Sequence, residues 1–238
     1  MIDVHGHIQQ FQNVFEVLKR AKSVGVEKVV SAGVNLEDSM RCVEVARRYE
    51  MVLAAAGLHP TEELSQIEAV LNLIENTPDL VAVGEIGLDW KFGRREEQIE
   101  PFRKQIEIAR ELDLPVIVHS RSAGKYVLEI MEKMGVEKAV LHSFDGALKY
   151  ARKGFELGYH FSIPVTVLVS RQKQELAENV PLELLLLESD SPALSPFEGE
   201  NEPANLIHSL QLIAELREME PKELDKITTE NAKKLFRI

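Results

Sequence analysis

The chain has 238 residues, long for an ordinary domain but the usual length of one α/β barrel. Apolar residues make up 45%, yet no run of them approaches the roughly 18 needed to cross a bilayer, which excludes a membrane-spanning helical protein. With 39 acidic against 28 basic side chains the net charge is −11, which excludes a broad electrostatic grip on duplex nucleic acid and leaves room for a small or end-bound anion. Cys42 is the only cysteine, so any metal must be held by histidine and carboxylate rather than thiolate. The N-terminus has no basic stretch followed by an apolar one; no secretory signal is expected, and a cytoplasmic location is the default.

Asp3-Val4-His5-Gly6-His7 opens the first buried strand. Side chains alternate along a strand, so His5 and His7 point the same way and can converge on one ion. Residues 11–24 place Val14, Phe15, Leu18 and Ala21 at helical spacing, with Gly25 as the stop. The run 28–32 is a short valine-rich strand of the kind covered on both faces. The alternation continues with a helix over 36–49, whose Cys42 faces the core, a strand over 51–58, a helix over 62–74, a strand over 80–86 and an amphipathic helix over 96–112. Strands are then expected over 116–119, 138–142, 159–163 and 184–187, and helices over 124–134, 148–157, 170–179, 203–219 and 223–236. No composition shift or linker divides the chain, so a single domain over residues 1–238 is expected. Eight such strand–helix units close most economically into a (β/α)8 TIM barrel; an open doubly wound sheet is the alternative.

In such a barrel, active-site residues sit where strands end and loops lead to helices. His5 and His7 end the first strand, His59 the third, Glu85 the fourth, His119 the fifth, His142 the sixth and Asp190 the eighth. Only His160, near the start of the seventh strand, and His208, inside a helix, fall elsewhere, and both read as structural. Imidazoles and carboxylates together suit zinc, manganese or iron, and a carboxylate can bridge two ions. Glu85 suits the bridge: His5, His7 and Asp190 would share one ion with it, and His119 and His142 would complete the second. Two ions about 3.5–4 Å apart can generate hydroxide near neutral pH and clamp the oxygens of a phosphate under in-line attack.

The motifs Asp3-Val4-His5-Gly6-His7, Gly57-Leu58-His59-Pro60, Gly84-Glu85-Ile86-Gly87-Leu88-Asp89, His119-Ser120-Arg121, Leu141-His142-Ser143-Phe144 and Leu187-Glu188-Ser189-Asp190-Ser191-Pro192 resemble the successive motifs of the TatD family, metal-dependent hydrolases and deoxyribonucleases of the amidohydrolase superfamily. Asn201-Glu202-Pro203 and Thr228-Thr229-Glu230-Asn231-Ala232 extend the resemblance nearly end to end. It implies a (β/α)8 barrel, hydrolysis of phosphodiester bonds from DNA ends, two divalent ions drawn from magnesium, manganese or zinc, and His5, His7, Glu85, His119, His142 and Asp190 as their ligands. Two positions depart from the family pattern. Thr61 stands where a second histidine often follows Gly-x-His-Pro, and Glu200 where an arginine commonly precedes Asn-Glu-Pro. Both fall where substrate rather than metal is contacted.

Around this set, His59 reads either as a phosphate contact and proton donor or as part of a structured turn. Arg121 reads as a fork for phosphate or as a surface ion pair. Asp89 suits a hydrogen bond to a ligand histidine, and Trp90 suits packing. Lys91, Arg94 and Arg95 form a basic cluster on a rim loop, a solvated face or a DNA contact. The expected activity is therefore attack of hydroxide on phosphorus, with Asp190 taking its proton, Glu85 bridging the ions, and His59 and Arg121 binding phosphate. The partner is a DNA end or a small phosphoester, with no membrane and no obligate protein partner. The rival readings are a barrel hydrolase acting on a small amide, lactone or phosphoester, and a non-enzymatic metal-binding protein.

Overall fold

A computed structural model describes all 238 residues. The strands are β1 (Ile2–Gly6), β2 (Lys28–Ala32), β3 (Val52–Ala56), β4 (Ala82–Gly87), β5 (Val116–His119), β6 (Ala139–His142), β7 (His160–Pro164) and β8 (Leu185–Glu188). Between them run α1 (Val14–Ser23), α2 (Leu36–Arg48), α3 (Ile67–Glu75), α4 (Ile99–Glu111), α5 (Gly124–Lys133), α6 (Leu148–Glu156) and α7 (Arg171–Asn179); α8 (Leu206–Leu216) and α9 (Pro221–Phe236) follow β8. All eight strands are parallel and lie side by side in sequence order. The sheet curls until β8 meets β1, where the Asp190 N–H donates to the His5 carbonyl at 2.9 Å and the His7 N–H to the Ser191 carbonyl at 2.6 Å. The molecule is thus a nearly closed (β/α)8 barrel rather than an open sheet.

The strands form because short runs of β-branched and small apolar residues can be buried on both faces. Val4, Val30, Ala55, Ile117, Val140 and Leu186 fill the interior, and α9 adds Ala232, Leu235 and Phe236 to the same cluster. A larger apolar layer lies between strands and helices. Helix starts follow local chemistry: the side chains of Asn13, Asn35 and Ser170 accept the otherwise orphaned N–H groups of Glu16, Asp38 and Lys173. Pro221 occupies the first turn of α9, where its missing N–H costs nothing.

Four details differ from the periodicity reading. In α1 the buried residues are Val17, Leu18 and Ala21, whereas Phe15 is 58% exposed. The phase of the helix turns that ring outward. The segments before α3 and α8 are 3-10 turns, Leu64–Gln66 and Pro203–Asn205, and a further turn, Val165–Leu168, follows β7. Finally, β3 ends at Ala56, so His59 is carried by the loop beyond it. No helix is long and apolar enough to cross a membrane.

Close approach of β4 and β5 sets the site. Gly87 pairs with His119 and has φ 137°, and a Cβ there would lie 2.0 Å from the His119 carbonyl oxygen. Only glycine permits this contact.

Candidate metal centre

Residues scattered from His5 to Asp190 in the sequence meet at the C-terminal ends of the strands. The two oxygens of Glu85, on β4, face different neighbours. Its Oε2 lies 3.5 Å from His5 Nε2 and 3.6 Å from His7 Nε2, both delivered by the first strand and its exit. Its Oε1 lies 2.9 Å from His119 Nδ1, 3.0 Å from His142 Nε2 and 3.3 Å from His59 Nε2. Asp190, just past β8, places Oδ1 3.4 Å from His5 Nε2 and 3.6 Å from His7 Nε2. The structure therefore brings together His5, His7, His59, Glu85, His119, His142 and Asp190, and leaves His160 and His208 on β7 and α8 outside the nest.

The rings are aimed by what holds their far nitrogens. His7 Nδ1 is 2.8 Å from the Ala32 carbonyl, which can only accept, so the ring's proton sits there and Nε2 turns a lone pair inward. His119 Nε2 is 3.1 Å from Asp89 Oδ2, leaving Nδ1 to face Glu85. His142 Nδ1 stands 3.5 Å from Glu188 Oε1, and the Ser162 hydroxyl donates to Oε2 of the same carboxylate at 2.5 Å. His59 Nδ1 is 2.7 Å from Thr61 Oγ1.

Lone pairs aimed at carboxylate oxygens repel unless positive charge lies between them. Burial and the neighbouring His142 both oppose a proton on His5, yet the carboxylates of Asp190 and Glu85 outweigh them and raise its pKa to about 9. Burial likewise opposes charge on His119, but Asp89 and Glu85 raise it to about 9; for His142 the opposing burial is outweighed by Glu85 and Glu188, which raise it to about 10. Conversely, burial favours neutral Glu85 and Asp190, but the surrounding imidazoles hold both carboxyls well below the ordinary range. No lysine or arginine pairs with Glu85 or Asp190; only histidines do. Neither ring nitrogen of the fully buried His5 has a hydrogen-bond partner. A buried nitrogen left alone between two carboxylates is costly, and a divalent cation satisfies all three. Three donor triads have ligand atoms within 4.8 Å of one another: His5 with His7 and Glu85, His5 with His142 and Asp190, and His59 with Glu85 and His119. The donor set fits divalent ions.

Beside the nest lies a cavity of about 290 Å³ lined by His119, Arg121, His142, Asp145, Lys173 and Asp190 among others. Arg121 is on its wall, 56% exposed and 3.9 Å from Asp89 Oδ2. Lys173 reaches in from α7 and donates to the carbonyls of Ser143 and Phe144 at 2.7 and 2.8 Å, pinning the loop that leaves His142. Neither departure from the family pattern removes a donor atom of the nest. Thr61 holds His59, while Glu200 is exposed in a separate groove beside Arg20, which pairs with Glu202.

Sequence reasoning passed over Glu188, Asp3 and Lys173. Glu188 ends β8 two residues before Asp190, the spacing that made His5 and His7 a pair, although Asp190 itself, with φ 56°, lies past the strand. Asp3 extends the same period on β1: it is fully buried, accepts the Ser189 N–H at 2.9 Å and ties β1 to the segment carrying Asp190. Burial pushes its carboxyl up to about 7 against the pull of that hydrogen bond.

The family model for TatD-related DNases matches residues 2–237. The chain belongs to the TatD-related DNase family. It is 36% identical to human deoxyribonuclease TATDN3 over 99% of this chain and 94% of that one. It is 34% identical to the 3'-5' ssDNA/RNA exonuclease TatD of Citrobacter koseri, covering 94% of this chain and 92% of the relative. The crystal structure of the TatD homologue YJJV from Escherichia coli superposes with a TM-score of 0.92 at 30% identity, over 100% of this chain and 98% of that one. Membership makes the chain a metal-dependent hydrolase of ester bonds.

Proposed function

We propose that this TatD-family protein hydrolyses phosphodiester bonds at the ends of DNA strands, using two divalent ions held by His5, His7, Glu85, His119, His142 and Asp190. The observation that carries the reading is the division of Glu85, with one oxygen turned to His5 and His7 and the other to His59, His119 and His142. Magnesium, manganese or zinc would supply Lewis acidity there, lowering the pKa of water and neutralising charge on phosphoryl oxygens.

The protein's own groups do the rest. The Asp190 carboxylate, kept ionised by the adjacent imidazoles, accepts the proton of the attacking water at a carboxylate oxygen. His59 presents Nε2 to a phosphate oxygen, with Thr61 fixing the ring from behind. Arg121 forks onto the same phosphate from the cavity wall. The name of the Citrobacter koseri relative supports a single-stranded substrate with a free end. A lone, buried Cys42 supports residence in a reducing compartment such as the cytoplasm.

The test is hydrolysis of an end-labelled single-stranded oligonucleotide by the purified protein, stripped of metal and then reloaded with magnesium, manganese or zinc, beside the Asp190→Asn variant. We expect end-directed, metal-restored cleavage and a loss of about 10²–10⁴-fold in Asp190→Asn. Absence of cleavage with all three metals, or near-normal turnover in the variant, would refute the reading.

A further inference from the structure

Next to the cavity the acidic surface changes character. The loop from β4 to α4, the loop from β5 to α5 and the start of α5 present three aromatic rings and five cations: Trp90, Phe92 and Tyr126 with Lys91, Arg94, Arg95, Arg121 and Lys125. Tyr126 lies against Trp90 with ring centroids 3.9 Å apart, and the Arg95 guanidinium stands 5.1 Å from the Trp90 centroid. Arg94 stands 5.3 Å from the Phe92 centroid and Lys125 5.5 Å from that of Tyr126. Phe92 is 54% and Tyr126 43% exposed, large apolar area for a surface with every reason to be polar. Glu96 and Glu97 follow these cations toward α4 in the sequence, and Lys125 also pairs with Glu129 at 3.6 Å.

This edge is anchored to the metal centre rather than loosely hung beside it. Asp89 Oδ1 accepts the N–H groups of Lys91 and Phe92 at 2.9 and 3.0 Å, while its Oδ2 faces His119. Gln98, almost fully buried, donates to the carbonyls of Asp89 and Gly93 and accepts the Asp89 N–H, fastening both sides of the loop. The Trp90 N–H donates at 3.0 Å to the carbonyl of Arg121, whose side chain lines the cavity. One carboxylate thus positions both a ligand-face histidine and the aromatic edge.

Exposed rings interleaved with cations on a protein of net charge −11 fit one occupant: unpaired nucleobases on a phosphate backbone. A stacked duplex hides its ring faces; a single strand offers them. We infer that the Phe92–Tyr126 edge is a stacking platform for the bases of a single strand whose end lies in the cavity, with Arg94, Arg95 and Lys125 holding the phosphates between them. The inference rests on the proposed reading of the cavity as the place of cleavage, and it assigns the nucleotides beyond the scissile bond to side chains that touch no metal ligand except through Asp89.

The test uses single-stranded octamers carrying 2-aminopurine near the bound end, and the same octamers made abasic over the first few nucleotides. Binding and base fluorescence are measured for the Asp190→Asn protein and for the same protein with Phe92→Ala and Tyr126→Ala; both added positions are exposed, so the fold is spared. With the stacking of bases on both rings lost, the added pair should weaken binding of the base-bearing octamer roughly ten-fold or more and relieve 2-aminopurine quenching. On the abasic octamer the two proteins should bind alike. Equal affinities on the base-bearing strand, a matching loss on the abasic one, or no binding of either octamer would overturn the platform. If base-dependent binding is found and the wild-type protein cleaves nothing, the nuclease reading falls and the platform stands.

Discussion

His142 and His160 stand on neighbouring strands, at opposite ends of the barrel, and their imidazoles are pulled in opposite directions. In the β6–β7 register Val140 pairs with His160 and His142 with Ser162, so one strand step of two residues separates the two environments. At the C-terminal end, burial alone would strip the proton from His142, yet Glu85 and Glu188 raise its pKa to about 10. At the N-terminal end nothing answers the burial of His160, and Lys234 on α9 adds to it, lowering the pKa to about 4. The charges of that lower end are otherwise paired in the open, as Asp113 is with Lys138 and Arg237, where solvent screens them. What makes one end a site is thus not the presence of histidine alone but histidines set against buried carboxylates, Glu85 and Asp190, that pair with no lysine or arginine.

The sharpest way to break this contrast is to remove the carboxylate that both halves of the nest share. Glu85→Gln keeps the side chain's shape and deletes its charge, so cations held by the lone pairs of His5, His7, His119 and His142 would lose the anion that all four rings face. We expect the paired ion site to be lost, seen as a fall in bound metal by elemental analysis. The turnover lost with it should be at least about 10³-fold, since it removes several kcal/mol of charge stabilisation. Full stoichiometry with normal turnover would show that Glu85 is not a bridge.

A smaller effect should come from the residue that departs from the family pattern. Thr61→Val keeps the volume and deletes the hydroxyl that sits 2.7 Å from His59 Nδ1. Partners that orient a functional histidine from behind are typically worth about 10–100-fold, so the variant should lose that much in metal affinity or in kcat/KM on an oligonucleotide. Rescue by Thr61→Ser, which restores the hydroxyl, would tie the loss to orientation; a Thr61→Val protein indistinguishable from wild type would make His59 a structural turn residue.

Much of this contrast was readable before any coordinates, and the part that was not has a physical cause. His5, His7, His119 and His142 could be placed on the rim because each ends a strongly apolar strand, and Glu85 because it interrupts one. His160 could be set aside because it begins its strand. Glu188 is not singled out, because a carboxylate ending an apolar strand declares its partner, Ser162, only once β7 and β8 are paired. The orientation of His59 by Thr61 depends on a loop whose path periodicity does not encode. Phe15 was assigned to the core because helical spacing fixes a face to within a residue or so, and here the neighbouring Val17 took the buried place. The aromatic edge is not legible in the sequence, because Trp90 and Tyr126, 36 positions apart, meet only through the parallel pairing of β4 with β5.

The smallest expected effect lies at the lower end and is read as stability against pH. An unfolded histidine titrates near 6.5, whereas His160 in the folded chain holds out to about 4. Above pH 6.5 both states are neutral there and the side chain makes no pH-dependent contribution. Between 6.5 and 4 the unfolded chain takes up a proton that the folded chain refuses, so stability falls as pH falls through that window. The full shift would correspond to about 3 kcal/mol, and because the ring is partly solvated about 1–2 kcal/mol is the expected loss. His160→Gln cannot take up that proton in either state. Urea unfolding of wild type and His160→Gln at pH 7 and pH 4.5, both free of metal, isolates the difference, because the histidines of the upper end titrate identically in the two proteins and cancel. The variant should lose less stability than wild type on acidification. Parallel losses would mean that His160 is solvated enough to titrate normally, and the contrast between the two ends would then rest on the carboxylates of the upper one alone.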